Sequence, residues 1–304
     1  MRYILRMYIY IVVISAGYLI LLLTWFNFIK TNITFNTRGY VTETVGSEDL
    51  FERAGKLPNW NSRSLLSNTT DKSLIVFRQT LTQKEFSILK DTLKVLKYAC
   101  ERNNLTYMLY GGSLLGAYRH AGLIPWDDDV DIWMDQRQTT KADTILSQIP
   151  GYSLHHVKGD KTLWKLYSDL TRQNKSVSKL TARAMFPYIH ILFFVDNSTH
   201  VKHSDGVVTH RTAFPRTDIF PLQKMMFEDE ELFVPNKVDA VIKRKYGQTN
   251  TCTARDPETQ KDGISVSCDR LHPYYPFIER THNDTAITLT FGGKVIWRKG
   301  LQYY

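Results

Sequence analysis

The sequence predicts a mixed α+β domain preceded by one N-terminal transmembrane helix. Three observations support this: an uncharged apolar run at residues 7–29, segments with apolar residues at helical spacing, and short apolar runs typical of strands. Of the 304 residues, 43% are hydrophobic and 23% are charged, which is typical of a globular domain. This composition excludes collagen, a coiled coil and long disorder as descriptions of the whole chain.

The apolar run is long enough to cross a membrane. A helix over residues 7–29 would span about 34 Å at about 1.5 Å per residue, whereas the core of a signal peptide has only about 7–15 apolar residues. A retained anchor is therefore favoured, with a buried core helix as the alternative. A slight excess of cations before the run favours a cytoplasmic N-terminus. We expect a cytoplasmic tail at 1–6 and a signal anchor at 7–29.

The segment after the anchor resembles a stem in the secretory pathway. Residues 30–79 are rich in Thr, Asn, Ser and Gly and show little apolar periodicity, so we predict a luminal stem there. Glycosylation sequons are more frequent than this composition gives by chance, which indicates a glycosylated luminal domain. The six sequons begin at Asn32, Asn68, Asn104, Asn174, Asn197 and Asn283.

The three cysteines differ in their surroundings. Cys252 and Cys268 lie 16 positions apart in a polar, turn-rich stretch, where an oxidising compartment would favour a disulfide. The alternative is a zinc site that includes His272. Cys100 lies on the apolar face of a predicted helix, and we expect it to be a buried free thiol.

The remaining elements belong to a domain predicted at 80–304. A capping box of Thr82 and Glu85 begins a helix that continues to Cys100, and a strand follows at 105–110. A Gly-Gly pair then breaks the chain before a short helix. Later expected elements are a strand at 129–134, a helix at 141–148, a strand at 188–195 and a helix at 238–246 ended by Gly247. The basic stretch 158–183 is either a solvated loop or a surface for an acidic ligand.

The chemistry is concentrated in residues 110–135. Gly111 and Gly112 form a tight turn before a helix that Ser113 is expected to cap, and such a turn lets a phosphate approach backbone N–H groups. On the following strand, Asp129 and Asp131 project from one face. Two carboxylates on one face suit Mg²⁺ or Mn²⁺. A solvated acidic turn is the alternative, but the adjoining apolar strand favours a metal site.

This segment resembles the LicD family of phosphotransferases, which includes the fukutin-related glycan enzymes. The match consists of Gly-Gly-Ser-Leu-Leu-Gly-Ala-Tyr-Arg-His at 111–120 and Ile-Pro-Trp-Asp-Asp-Asp-Val-Asp at 124–131. Weaker similarity extends it over about 84–247. The resemblance implies a nucleotidyltransferase-like core, in which a mixed β-sheet is flanked by helices.

The resemblance also implies a reaction and a location. The expected reaction transfers a phospho-alcohol, such as phosphocholine or ribitol phosphate, from a CDP-activated donor to a hydroxyl of a glycan, glycoprotein or glycolipid. The expected location is the Golgi membrane, as a single-pass type II protein. By the same resemblance, Mg²⁺ or Mn²⁺ would bind Asp129 and Asp131. The expected substrate-binding residues are Gly111, Gly112, Ser113, Arg119, His120 and Asp127.

One position departs from the family pattern. The family has a third carboxylate in a Pro-x-x-Asp-Ile segment, whereas this chain has Pro187-Tyr188-Ile189-His190-Ile191. We therefore predict Asp129, Asp131 and His190 as the catalytic residues, because an imidazole can act as a general base or bind a metal. A catalytically impaired binding protein and a DxD-type glycosyltransferase are the alternatives. The net charge of +9 does not indicate a nucleic-acid partner, because the anchor and the sequons argue against one.

Overall fold

The computed structural model describes residues 66, 71–157, 163–173, 185–204, 211–254, 263–280 and 286–300. The predicted tail and anchor, most of the stem, and four of the six sequons lie outside these ranges. The two sequon asparagines within them, Asn104 and Asn197, are exposed. Within the described ranges, no helix has the length and apolarity needed to cross a membrane.

The described part contains helices and strands in a mixed order. The α-helices are α1 (Gln83–Arg102), α2 (Gly111–His120), α3 (Thr139–Leu146), α4 (Arg216–Ile219) and α5 (Val238–Tyr246). The 3-10 helices are Lys72–Phe77, Gln136–Gln138, Asp169–Gln173 and Cys268–Arg270. The first strands are β1 (Tyr107–Leu109), β2 (Val130–Asp135), β3 (Tyr152–His156), β4 (Leu163–Ser168), β5 (Ile189–Asp196), β6 (His200–His203) and β7 (Ala213–Pro215). The later strands are β8 (Gln223–Phe227), β9 (Glu230–Val234), β10 (Thr251–Ala254), β11 (Ile264–Ser267), β12 (Phe277–Arg280), β13 (Ala286–Phe291) and β14 (Lys294–Gly300).

The main sheet confirms the predicted mixed α+β class. Its strands lie in the order β1-β2-β5-β4-β3, and β6 and β7 extend it from one end of β5. The pair β2 and β5 is parallel, while the other pairs are antiparallel. The predicted strands at 129–134 and 188–195 are therefore neighbours at the centre of the sheet. This pairing brings the acidic segment and His190 together.

The first helix confirms its sequence pattern. The Thr82 side chain accepts from the N–H of Glu85, and the Glu85 side chain accepts from the N–H of Thr82. Cys100 is a buried free thiol, as predicted. The folded core begins earlier than residue 80, because Leu74 and Phe77 of the first 3-10 helix are buried in it.

Two local predictions need correction. Helix α2 begins at Gly111, and no side chain caps it, since the Ser113 hydroxyl instead accepts a hydrogen bond from the N–H of Asp131 at 2.8 Å. The basic stretch 158–183 is not simply a loop, because its residues 163–168 form β4 inside the main sheet. In both cases a contact with a distant strand outweighs the local pattern.

The final third is more regular than the sequence indicates. It contains the antiparallel pairs β8–β9 and β10–β11 and an antiparallel sheet of β12, β13 and β14, together with the predicted helix α5 with Gly247 at its end. Cys252 and Cys268 form the predicted disulfide, with their Cα atoms 5.0 Å apart. The zinc alternative is wrong, since both sulfurs are bonded to each other.

Candidate functional site

The candidate site is built on one row of residues across the main sheet. The N–H of Tyr110, directly after β1, donates to the carbonyl of Asp131 at 3.1 Å. Asp131 on β2 lies opposite His190 on β5, and His190 lies opposite Lys165 on β4. Because directly opposed residues in a sheet project from the same face, the last three side chains share one surface.

The acidic residues and the imidazole meet on this surface. His190 Nδ1 lies 2.9 Å from Asp129 Oδ2 and 3.4 Å from Asp131 Oδ1. Asp129 and Asp131 are two positions apart and reach the same nitrogen, which confirms that they project from one side. The three residues offer ligand atoms that all lie within 4.8 Å of one another. They could therefore hold a metal ion together. Asp127 and Asp128 form a second group with Asp129.

The surroundings shift the protonation of this cluster. Burial lowers the pKa of His190, but hydrogen bonds to Asp129 and Asp131 and the charges of both carboxylates outweigh it and raise the pKa to about 9. Burial, followed by the charges of Asp129 and Asp131, raises the pKa of Asp127 well above its ordinary range. In the metal-free protein, the imidazolium of His190 therefore compensates the acidic pair at neutral pH.

The Gly-Gly turn lets the carboxylates approach the start of α2. Gly111 has a φ of +55°, and a Cβ added there would lie 2.5 Å from Asp131 Oδ2. A Cβ at Gly112 would lie 2.7 Å from Asp127 Oδ2. Both distances are below van der Waals contact, so neither carboxylate could keep its position beside a larger residue. The helix N-terminus also places partial positive charge near the acidic cluster.

Arg119 and His120 make other contacts. Arg119 is buried, and its Nη1 donates to Thr251 O at 3.1 Å and lies 3.0 Å from each sulfur of the Cys252–Cys268 disulfide. The buried His120 has Nδ1 at 2.7 Å from Pro276 O. These contacts join α2 to the C-terminal third. Among the described residues Arg119 forms no ion pair with Asp127, and phosphate binding by Arg119 or His120 stays a prediction.

Two lysine–tyrosine pairs border the cluster and were not among the predicted site residues. Lys165 Nζ lies 3.8 Å from the ring centroid of Tyr188, and Lys245 Nζ lies 3.7 Å from that of Tyr110. Burial lowers the pKa of Lys245 to about 8, against the opposing effect of Asp131. Lys165 belongs to the basic stretch 158–183, for which the sequence indicates either a solvated loop or a surface for an acidic ligand. No sequence signal identifies Lys245, because a cation in the last turn of a helix is common.

Comparison with known proteins finds similarity in the part of the chain that contains the candidate site. Residues 104–237 match the family described as LicD/FKTN/FKRP, nucleotidyltransferase domain. An uncharacterized protein of Rickettsia prowazekii is 27% identical over 207 residues, which are 67% of this chain and 65% of that protein. The lipopolysaccharide cholinephosphotransferase LicD of Haemophilus influenzae is 53% identical over 45 residues, 14% of this chain and 17% of that enzyme.

The human ribitol 5-phosphate transferase FKRP is 26% identical over 159 residues, 52% of this chain and 31% of that enzyme. The matched part of this chain thus spans less than two thirds of each relative. The motif at 111–131 lies within the family match, and residues 104–237 are similar to the LicD/FKRP-like family.

Proposed function

We propose that the chain is a metal-dependent phosphotransferase that moves a phospho-alcohol from a CDP-activated donor to a glycan hydroxyl. The observation that carries the proposal is the convergence of Asp129, Asp131 and His190 beside the Gly111-Gly112 turn. The activities for which two relatives are named, cholinephosphotransferase and ribitol 5-phosphate transferase, support phosphocholine and ribitol 5-phosphate as candidate groups. A glycan-type acceptor is the corresponding proposal, since one relative is named for lipopolysaccharide.

The donor atoms of the cluster fit a hard divalent cation. Carboxylate oxygens suit Mg²⁺ and Mn²⁺, and one imidazole nitrogen is compatible with Mn²⁺. Asp129 and Asp131 would hold the ion, which leaves His190 for the role of general base. Such an ion would supply charge stabilisation for the donor's phosphates and the leaving nucleotide. The Gly111-Gly112 turn would admit the phosphates close to the backbone.

His190 is the proposed third functional group. Its Nδ1 faces Asp129, which fixes the orientation of the ring at the position of the family's third carboxylate. As a general base toward the acceptor hydroxyl, the imidazole must be neutral, so we expect activity to rise with pH until it is deprotonated. Replacing His190 with Ala should lower kcat by about 10²–10⁴-fold. Asp at this position would test whether the family's carboxylate serves equally well.

A donor screen tests the proposed reaction directly. CDP-choline, CDP-ribitol, CDP-glycerol and CDP-ethanolamine would be supplied with Mg²⁺ or Mn²⁺, and CMP release measured with and without glycan acceptors. The control is the Asp131→Asn variant, which we expect to be inactive. Transfer of sugar from nucleotide-sugars, without turnover of any CDP-alcohol, would reject the proposal in favour of a DxD-type glycosyltransferase.

One observation favours a catalytically impaired binding protein as a second candidate. The contact between His190 and Asp129 already compensates the acidic pair without a metal ion. In that case the fold would serve glycan or partner binding. Calorimetry with Mg²⁺, Mn²⁺ and CDP separates the candidates, because the binding protein should bind neither the ions nor the nucleotide.

We further propose that residues 7–29 anchor the chain in the Golgi membrane with the domain in the lumen. The absence of charge in that run and the six sequons support this arrangement. Endoglycosidase digestion of the expressed chain tests it, since occupied sequons would produce a shift in mobility. An unmodified chain that washes off membranes with alkaline carbonate would contradict it.

A further inference from the structure

Two lysines contact tyrosine rings at the two ends of the row of site residues that crosses the main sheet. Lys165 lies on β4, one strand beyond His190, and rests on Tyr188. Lys245 lies in the last turn of α5 and rests on Tyr110, one strand beyond Asp131. The two contacts are nearly equal in length, 3.8 and 3.7 Å from Nζ to ring centroid. The acidic pair and the imidazole therefore lie between the two cations along the row.

Among the described residues, neither lysine is in contact with a carboxylate. Within the described ranges, Lys165 and Lys245 form no ion pair and no hydrogen bond, although both are partly buried. Both sense the acidic cluster at longer range, Lys165 through Asp129 and Lys245 through Asp131. The tyrosine rings hold the ammonium groups in place, because cations bind favourably to aromatic faces. Two partly desolvated cations held without a carboxylate partner are suited to an anion that comes from outside.

We propose that Lys165 and Lys245 bind the diphosphate of the nucleotide donor from the two sides of the acidic centre. This assignment rests on the proposed function, because it names how that donor is held. A diphosphate carries charge on two phosphorus groups and needs cations on more than one side. Lys245 would contact the group nearest the start of α2, and Lys165 the group nearest β4. Both are proposed as binding residues and not as proton donors.

The test measures binding of inorganic pyrophosphate and of CDP to the full chain in the presence of Mg²⁺. Isothermal titration would compare the wild type with Lys165→Met and Lys245→Met. Lys224→Met is the matched control, because Lys224 also lies over an aromatic ring, with Nζ 5.2 Å from the centroid of Phe233, but it is an exposed residue on β8. Each site variant should weaken both ligands roughly 10-fold or more, while the control should match the wild type.

Arginine variants and metal binding distinguish recognition from a purely structural role. Lys165→Arg and Lys245→Arg should restore most of the affinity, since they keep the charge. Mn²⁺ binding in the absence of phosphate, followed by electron paramagnetic resonance, should be unchanged or tighter in the methionine variants. Pyrophosphate affinities within twofold of the wild type in both methionine variants would overturn the assignment. A wild type that binds neither pyrophosphate nor CDP would overturn it as well.

The outcomes separate this assignment from the proposed function. If CDP-alcohols are turned over while both methionine variants keep their affinity and KM, the lysine assignment fails and the function stands. If the wild type binds pyrophosphate through both lysines but turns over no CDP-alcohol, the proposed function fails and the lysine assignment stands.

Discussion

Protonation of His190 should make the stability of the metal-free protein depend on pH. The pKa of His190 is raised from 6.5 to about 9 by its contacts with Asp129 and Asp131, against the effect of burial. The folded state therefore binds a proton that the unfolded state releases above about pH 6.5. This stabilisation is fully present below pH 6.5 and is lost as the pH rises through 9.

The size of the effect follows from the shift. Each pKa unit corresponds to about 1.4 kcal/mol, so the proton contributes on the order of 3 kcal/mol to the free energy of unfolding at low pH. The side chain of His190 is only 19% exposed, so solvent screening does not remove most of it. Lys245 acts in the opposite sense, because its lowered pKa destabilises the fold near neutrality and this effect fades above pH 8. A comparison with a variant is therefore needed.

The assay is urea unfolding of the full chain in EDTA, followed by tryptophan fluorescence at several pH values between 6 and 10. The wild type is compared with His190→Gln, and the difference between them cancels the titration of Lys245. We expect this difference to shrink by about 3 kcal/mol from pH 6 to pH 10. His155→Gln, which changes an exposed histidine of β3, should follow the wild type throughout. Parallel curves for the wild type and His190→Gln would refute the reasoning.

Three further predictions concern the proposed metal site, the glycine beside it and the disulfide. Asp131→Asn should abolish transfer, as measured by CMP release, while a cooperative urea transition shows that the variant still folds. Turnover near that of the wild type would contradict the metal assignment. Gly111→Ala should destabilise the fold more than Gly151→Ala. Both glycines have a positive φ, but only at Gly111 would the added Cβ collide with Asp131. Equal urea midpoints for the two variants would argue against the close approach of Asp131 to Gly111. Replacing Cys252 and Cys268 with Ala should lower the free energy of unfolding by about 3 kcal/mol. The measurement is urea unfolding of the variant and the wild type under oxidising conditions. An unchanged midpoint would be inconsistent with the disulfide.

The parts of the fold that were predictable have patterns contained in a short segment. Helix α1 has its own capping box and apolar face, and α5 ends at Gly247 as expected. Strand β4 was missed because Lys165 interrupts its apolar residues and basic residues surround it. Its place depends on pairing with β5. The short strands β10 and β11 contain few large apolar residues, so their pairing is not visible in the local sequence.

The same distinction applies to the candidate site. Alternation along one strand was sufficient to place Asp129 and Asp131 on one side. Their contact with His190 required the parallel pairing of β2 with β5, which no local pattern indicates. The hydrogen bond from Asp131 to Ser113 and the position of Lys245 over Tyr110 depend on contacts between distant segments. Such contacts leave no periodic signal.

A second charge cluster in the same domain shows why the site lysines are unusual. Lys90 and Lys94 of α1 approach Asp229, in the turn between β8 and β9, at 3.0 and 2.8 Å, so the opposite charges are in direct contact. That arrangement stabilises the packing of a helix on a hairpin, and its lysines are satisfied. Lys165 and Lys245 lie near a denser group of carboxylates, yet each contacts a tyrosine ring and forms no ion pair within the described ranges. If the only role of these lysines were to neutralise the acids, direct contact would stabilise the fold more. Their separation from the acids instead leaves room for a cation on the carboxylates and an anion on the lysines, which is the charge pattern of a metal–diphosphate complex.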